Sequence, residues 1–428
     1  MPLRTLLLIA LLALVAAPSA TATATATADR RRTLLFVDDH NVLYSAGLSR
    51  PQLQPLERHT PGVPVIATDQ PYEKLLGYAA VHIVDGEYRM WYQAYSATAS
   101  CIVCYATSRD GLAWTKPRLK LHAWGNMTET NIVFTEDPAA GPGGLYFGDV
   151  LYDPDASDPA RRFKMAMFDM PLVPGVKHGV GRPGVPGMYV AFSEDGIHWN
   201  RRNFTDGPAL VAQYGASPRT QPPFLGQGSD DGTKPFCLPG MKGKCEWVAP
   251  LSMGDVISTM KDPVSGLYRA YHKTWIDGPD GQQFWKRAVG VSVSDDFVVW
   301  NTTRHLIVAP DDFDGTAAEN SEVGMSVSTE LHNGPTYYHK TAGVYIMMLE
   351  VWENIIGGVL LHMELAISRK DGLQKFDRPF RKASGQPYFL DVNSQPGKFD
   401  SSRLWPNGWP TPGAFKPRSI VYLLWNLH

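Results

Sequence analysis

What most limits the fold of this chain is a short pattern that returns five times, a strand-like segment opening on an aromatic ring. The copies are Gly86-Glu-Tyr88-Arg-Met-Trp-Tyr92, Arg162-Phe163-Lys-Met-Ala-Met-Phe168, Gly266-Leu-Tyr268-Arg-Ala-Tyr271, Gly343-Val-Tyr345-Ile-Met-Met-Leu349 and Ile420-Val-Tyr422-Leu-Leu-Trp425. Taking the rings at 88, 163, 268, 345 and 422, the gaps are 75, 105, 77 and 77 residues. A period of this order marks stacked units. The long gap holds a Pro/Gly-rich insertion containing Cys237 and Cys245.

Two further patterns keep the same period. Ser108-Arg-Asp110-Gly111-Leu-Ala-Trp114, Ser193-Glu-Asp195-Gly196-Ile-His-Trp199, Ser294-Asp-Asp296-Phe-Val-Val-Trp300 and Ser368-Arg-Lys-Asp371-Gly372 follow the first four ringed strands. They are read as turns, in which the carboxylate bonds nearby amides and the following Trp packs beneath the hairpin. Upstream of the ringed strands lies an acid. Gly148-Asp149-Val150 precedes Asp153-Pro154, and Gly254-Asp255-Val256 precedes Asp262-Pro263. Looser counterparts are Glu73 before Gly77-Tyr78, Glu322 before Gly324-Met325, and Asp400 after Phe399.

With 34 Pro and 39 Gly the chain suits short strands and tight turns rather than long helices. A unit of about 75 residues made of three or four such strands must pack against its neighbours, and radial packing protects the strand edges. The expected fold is all-β, a five-bladed β-propeller over residues 33–428. The fifth unit ends at His428, soon after Tyr422, so its blade is expected to be incomplete, with Thr33 to Val37 as the strand able to fasten the ring.

The amino terminus carries a different signal. Leu6 to Ala17 is an unbroken apolar run behind Arg4, followed by Pro18-Ser19-Ala20, which reads as a secretory signal peptide over residues 1–20. Residues 21–32 are an Ala/Thr-rich linker ending in three arginines. The mature protein is expected to be secreted, with no membrane span. An oxidising compartment suits a Cys237–Cys245 disulfide. Cys101 and Cys104 form a CxxC without the second pair that a zinc site needs. Asn126, Asn203 and Asn301 head sequons for N-glycans. The net charge of -2 gives no grip on a nucleic acid.

Innermost strands of a propeller converge on the central channel, so acids at equivalent inner positions gather there and push one another's pKa values apart. Glycoside hydrolysis needs such a pair, one carboxyl to protonate the leaving oxygen and another to attack the sugar or activate water. The candidate catalytic residues are Glu73, Asp149, Asp255 and Glu322, with Glu319 the alternative to Glu322. Candidate substrate contacts are Asp69, Asp400, Trp91, Trp275 and Trp352, the tryptophans as stacking faces for sugar rings. The competing reading makes Asp149 and Asp255 turn or bulge carboxylates that cap amides, and Glu73 a solvated loop acid. No metal or other cofactor is expected: the chain lacks HExxH, a Walker loop and GxSxG, and its one GxGxxG match, Gly179 to Gly184, sits in a Pro-rich loop.

The order Pro-Tyr-Glu73, then Gly86 to Tyr92, then Tyr105 to Pro117 resembles the five-bladed catalytic domains of glycoside hydrolase families 32 and 43 and their secreted relatives. The likeness runs from about Phe36 to Asp400. It implies three acids on the inner strands of the first three blades: Glu73 or Asp69 as base or nucleophile, Asp149 as stabiliser and Asp255 as proton donor. The expected function is a secreted glycoside hydrolase acting on an oligo- or polysaccharide. Alternatives are a non-catalytic glycan- or protein-binding propeller, and a sialidase-like enzyme with three arginines around a carboxylated sugar.

Overall fold

Leu75 to Val84 and Glu87 to Tyr95 are rich in aromatic and β-branched residues and meet at Asp85-Gly86, where both φ angles are positive, 52° and 80°. That is the twist a two-residue hairpin demands, and it folds the two segments onto each other. The same logic repeats along the chain. The computed structural model describes residues 64–96, 101–136, 145–169, 187–202, 209–211, 253–276, 286–301, 305–311, 328–355, 358–381 and 389–390, together with Asp38, His40 and Asp314.

The strands form four successive antiparallel sheets. The first is β1 (Leu75–Val84), β2 (Glu87–Tyr95), β3 (Cys101–Ser108) and β4 (Ile132–Phe134) in that order. The second is β5 (Tyr146–Tyr152), β6 (Phe163–Asp169), β7 (Gly187–Ser193) and β8 (Asn200–Arg201), with β9 (Leu210–Val211) also on β7. The third is β10 (Ile257–Lys261), β11 (Tyr268–Ile276), β12 (Lys286–Ser294) and β13 (His305–Val308). In the fourth, β14 (Ser328–Asn333) and β15 (Thr336–His339) pair one side of β16 (Val344–Ile355), and β17 (Gly358–Ser368) pairs the other. This is a propeller arrangement of blades, three of them four-stranded and the second five-stranded through β9.

Separate apolar clusters join neighbouring blades. Trp91, Val103 and Tyr105 of blade 1 pack with Phe147, Phe163 and Met165 of blade 2. Phe168 and Val190 of blade 2 pack with Ile257, Tyr268, Phe297 and Trp300 of blade 3. Tyr271 and Val291 of blade 3 pack with Leu331, Tyr345 and Phe376.

The recurring ring acquires a purpose here. The Tyr268 hydroxyl of blade 3 donates to Asp153 Oδ2 at the end of β5, at 2.6 Å, and the Tyr345 hydroxyl of blade 4 donates to Asp262 Oδ1 after β10, at 2.7 Å. These two Asp-Pro steps are therefore acceptors that fasten blade 2 to blade 3 and blade 3 to blade 4.

The Ser-x-Asp turns form as read. In the first, Asp110 Oδ1 accepts from the amides of Leu112 and Ala113, both at 2.8 Å, and the Trp114 indole donates to Gly111 O at 2.9 Å. Trp114 and Trp199 stay half-exposed, whereas Trp300 is buried. Phe297 stands where the other copies have glycine and takes the same left-handed backbone, φ 67°. Its enclosed ring, edge-on to Tyr268 and Trp300, offsets the backbone cost.

Against the expected five blades, four are present among the described residues. The fifth repeat around Tyr422 and the segment Thr33 to Val37 lie outside them, as do Cys237, Cys245 and Asn203. Asp38 is described, and it forms a two-pronged ion pair with Arg369, at 2.6 and 2.7 Å, at the end of β17. Cys101 and Cys104 are free thiols on β3. An odd spacing on a strand sends side chains to opposite faces. Cys101 accordingly joins the cluster facing blade 2, and Cys104 the one on the other face. Burial pushes both thiols up. They are expected to resist alkylation in the folded protein and to react once it unfolds, as read by peptide mass spectrometry.

Candidate active site

The innermost strand of every blade is interrupted at a corresponding height. Register shifts occur in β1 between Leu76 and Ala79, in β5 between Phe147 and Asp149, and in β14 between Leu331 and Asn333. Ahead of β10, Gly254 N donates to Lys273 O at 2.7 Å and Lys273 N to Val256 O at 2.9 Å, which loops out Asp255 between them. A bulge leaves a residue out of the ladder and re-aims its side chain. The four bulges carry Tyr78, Asp149, Asp255 and His332.

Side chains from three blades meet there. The Tyr78 hydroxyl of blade 1 lies 3.3 Å from His332 Nδ1 of blade 4, and Glu350 Oε2 of β16 lies 3.1 Å from the same nitrogen. Asp255 forms an ion pair with Lys273. The His332 ring sits 4.8 Å from Trp352, and the Arg287 guanidinium lies over that indole at 4.6 Å while pairing with Glu330 at 2.7 Å. Tyr95 and Tyr146 flank the group where the inner strands begin: burial and the nearby Cys101, Tyr146 and Asp255 push the Tyr95 phenol up.

Asp149 and Asp255 have opposite proton affinities. Asp149 Oδ2 accepts from Thr259 N at 2.7 Å and Thr259 Oγ1 at 3.0 Å, yet burial outweighs these bonds and pushes the carboxyl up to about 7. For Asp255 burial also acts upward, but the charges of Lys273 and His332 prevail and hold it below the usual carboxylate range. Because the folded pKa of Asp149 exceeds that of the unfolded chain, stability is lost as pH rises from about 4 to about 7. Asp149→Asn is expected to flatten that stretch in a series of urea unfolding curves.

Glycine at 148 is required for this placement. A Cβ there would stand 2.8 Å from Ala166 O and 3.0 Å from Ile257 Cβ, so the strands of blades 2 and 3 close directly over the backbone.

The other sequence candidates fall elsewhere. Glu73 lies before β1 with its carboxylate enclosed: Oε1 accepts from the Tyr92 hydroxyl at 2.7 Å and Oε2 from Lys116 Nζ at 2.6 Å. It is neither a solvated loop acid nor at the bulge, where blade 1 carries Tyr78. Asp69 is exposed and shares Lys116 with it. Trp91 is a core residue, fully buried, with its indole donating to Gly196 O at 2.6 Å, and offers no face to a sugar. Trp352 is half-buried and belongs to the group. Glu322, Glu319 and Asp400, and the side chain of Trp275, lie outside the described residues. The sequence reading missed Tyr78, Lys273, His332 and Glu350. Aligning the residue after each glycine, Gly77-Tyr78 with Gly148-Asp149 and Gly254-Asp255, is the signal that finds Tyr78.

A groove of about 460 Å³ bordered by His122, Phe134, His198, Trp199 and Arg201 lies at the outer edges of blades 1 and 2. Glu136 is the one carboxylate that lines it. Among the described residues no three His, Cys, Asp or Glu side chains converge as a metal ion would require.

No protein-family model and no curated protein matches the chain. Solved structures resemble it at low identity. An α-L-arabinanase of Penicillium chrysogenum complexed with arabinobiose is 11% identical, TM-score 0.40, over 77% of this chain and 74% of that one. A family-43 α-L-arabinofuranosidase of Clostridium thermocellum is 11% identical, TM-score 0.37, over 70% of each chain. A structure from family 130, mannoside phosphorylases that include glycoside hydrolases targeting β-1,2-mannosidic linkages in Candida mannan, is 15% identical, TM-score 0.42, over 79% and 83%. At these values the likeness lends no residue and no activity to this chain.

Proposed function

We propose that the protein is a secreted glycoside hydrolase in which Asp149 protonates the leaving oxygen and Asp255 attacks the sugar or activates water. The observation that carries this reading is the split between the two carboxyls, one lifted to about 7 by burial and the other held ionised by an ammonium. Two titratable groups driven apart by their surroundings supply the acid and the base that acetal cleavage needs. Blade order had suggested Asp149 as stabiliser and Asp255 as proton donor; here the donor role passes to Asp149, and Asp255 takes the role of base or nucleophile that blade order gave to Glu73 or Asp69. Trp352, backed by Arg287, supports a stacking platform for a neutral ring. The apolar leader is what supports action outside the cell.

The test is a panel of aryl glycosides and plant and algal polysaccharides, assayed with wild type, Asp149→Asn and Asp255→Asn. Release of sugar by wild type is expected, with loss on every substrate in Asp255→Asn and on the polysaccharides in Asp149→Asn; polysaccharide hydrolysis that survives in both would overturn the assignment. The contact of Lys273 with Asp255 favours a second reading, a non-catalytic glycan-binding pocket, under which wild type binds sugars without turning them over.

A further inference from the structure

A second residue recurs at the bulges, five positions after each ring and facing the gap from the second strand. In blade 3 it is Lys273. Its side chain lies across Gly254, with Cε 2.6 Å from where a Cβ would stand, and its ammonium reaches Asp255. In blade 1 the counterpart is Gln93, which lies in the same way across Gly77, its Cβ, Cγ and Cδ each 3.1 Å from the missing Cβ. Blade 1 has Tyr78 in place of the acid, so the fully buried amide turns to the neighbouring blade, where Gln93 Oε1 accepts from Phe147 N at 2.8 Å.

Phe147 is the residue at which β5 breaks register before Asp149. On the far side of the same bulge, His82 Nε2 of β1 lies 2.6 Å from Val150 O. Blade 1 thus grips the backbone on both sides of Gly148-Asp149. Thr259, from blade 3, supplies the only side chain hydrogen-bonded to the carboxylate among the described residues. A bulge held at both shoulders keeps its residue in one orientation, which is what pre-organisation of a reacting group requires.

We propose that Gln93 is a positioning residue, which by holding Phe147 N across the blade interface fixes the bulge and keeps Asp149 seated against Thr259. The role rests on the reading of Asp149 as proton donor. Substituting Gln93 by Met keeps the bulk and removes the acceptor. Gly77→Ala keeps the amide but sets a methyl group 3.1 Å from its stem, so that Gln93 must give by a few tenths of an ångström and its bond to Phe147 N loosens.

The experiment follows urea midpoints of the full chain from pH 4 to 8 for wild type, Asp149→Asn, Gln93→Met and Gly77→Ala. Subtracting the Asp149→Asn curve removes the contribution of His82, the titrating neighbour on the blade 1 side, whose pKa burial holds down. The Asp149-dependent decline in wild type is expected to end near pH 7. In Gln93→Met it is expected to end about one unit lower, the equivalent of one net hydrogen bond, as water reaches the carboxyl, and in Gly77→Ala to move the same way by a smaller step. General loosening would lower midpoints at every pH without moving that endpoint. A decline that stays in place in both variants overturns the role of Gln93 alone. Its absence from wild type overturns the donor assignment itself. If Gln93→Met fails to fold, Gly77→Ala decides.

Discussion

Asp149→Asn is expected to cut turnover of natural glycosides by about 10²–10⁴, the range that general acid catalysis supplies. The amide keeps the volume of the carboxyl and can still accept from Thr259 N, so the bulge and sugar affinity should hold. What it lacks is a proton to give. The loss should depend on the leaving group: a dinitrophenyl glycoside departs as a stable phenolate without help, and its hydrolysis should fall far less. The alkaline limb of the wild-type pH profile should lie near 7, where the carboxyl loses its proton, and should vanish in the variant. An equal loss on both substrates would mean that Asp149 acts through binding or structure rather than proton transfer.

Asp262→Ala is expected to destabilise the protein by about 3–5 kcal/mol, the cost of stripping one partner from a buried ion pair. Asp262 is fully enclosed and receives Arg269 Nη2 at 2.6 Å, the Tyr345 hydroxyl at 2.7 Å and Ser265 N at 2.9 Å. Arg269, itself only 2% exposed, would keep its charge with nothing ionic beside it. Tyr345→Phe removes one neutral donor from the same junction and should cost about 1 kcal/mol. Urea unfolding of the two variants separates the effects. Similar losses would show that the hydroxyl, and not the enclosed charge, fastens blade 4 to blade 3.

The propeller was legible because its signals are local: alternating apolar residues, a turn acid, and a ring at fixed distance. The acids of blades 2 and 3 were legible for the same reason, since glycine and aspartate adjoin there. Blade 1 misled because residue type was matched without position: Glu73 lies ahead of β1, shut in with Lys116, whereas the bulge between Leu76 and Ala79 presents Tyr78. Trp91 and Trp352 looked alike as aromatics beside ringed strands. Burial separates them, because the Trp91 ring is covered by blade 2 through Phe163, 5.5 Å away. His332 had no acid to flag it, and its place follows only from the pairing of β14 with β16.

Three of the apolar clusters are enclosed between adjacent sheets, and the blades they join are separated in sequence by connections of very different length, the longest running from Val211 to Met253. Lengthening such a connection costs little, about 0.6 kcal/mol per doubling. Met253 stands two positions ahead of Asp255. Insertions or deletions there should therefore cost little stability while they alter the chain that leads into the carboxylate proposed to react, so that fold and specificity can change at different rates.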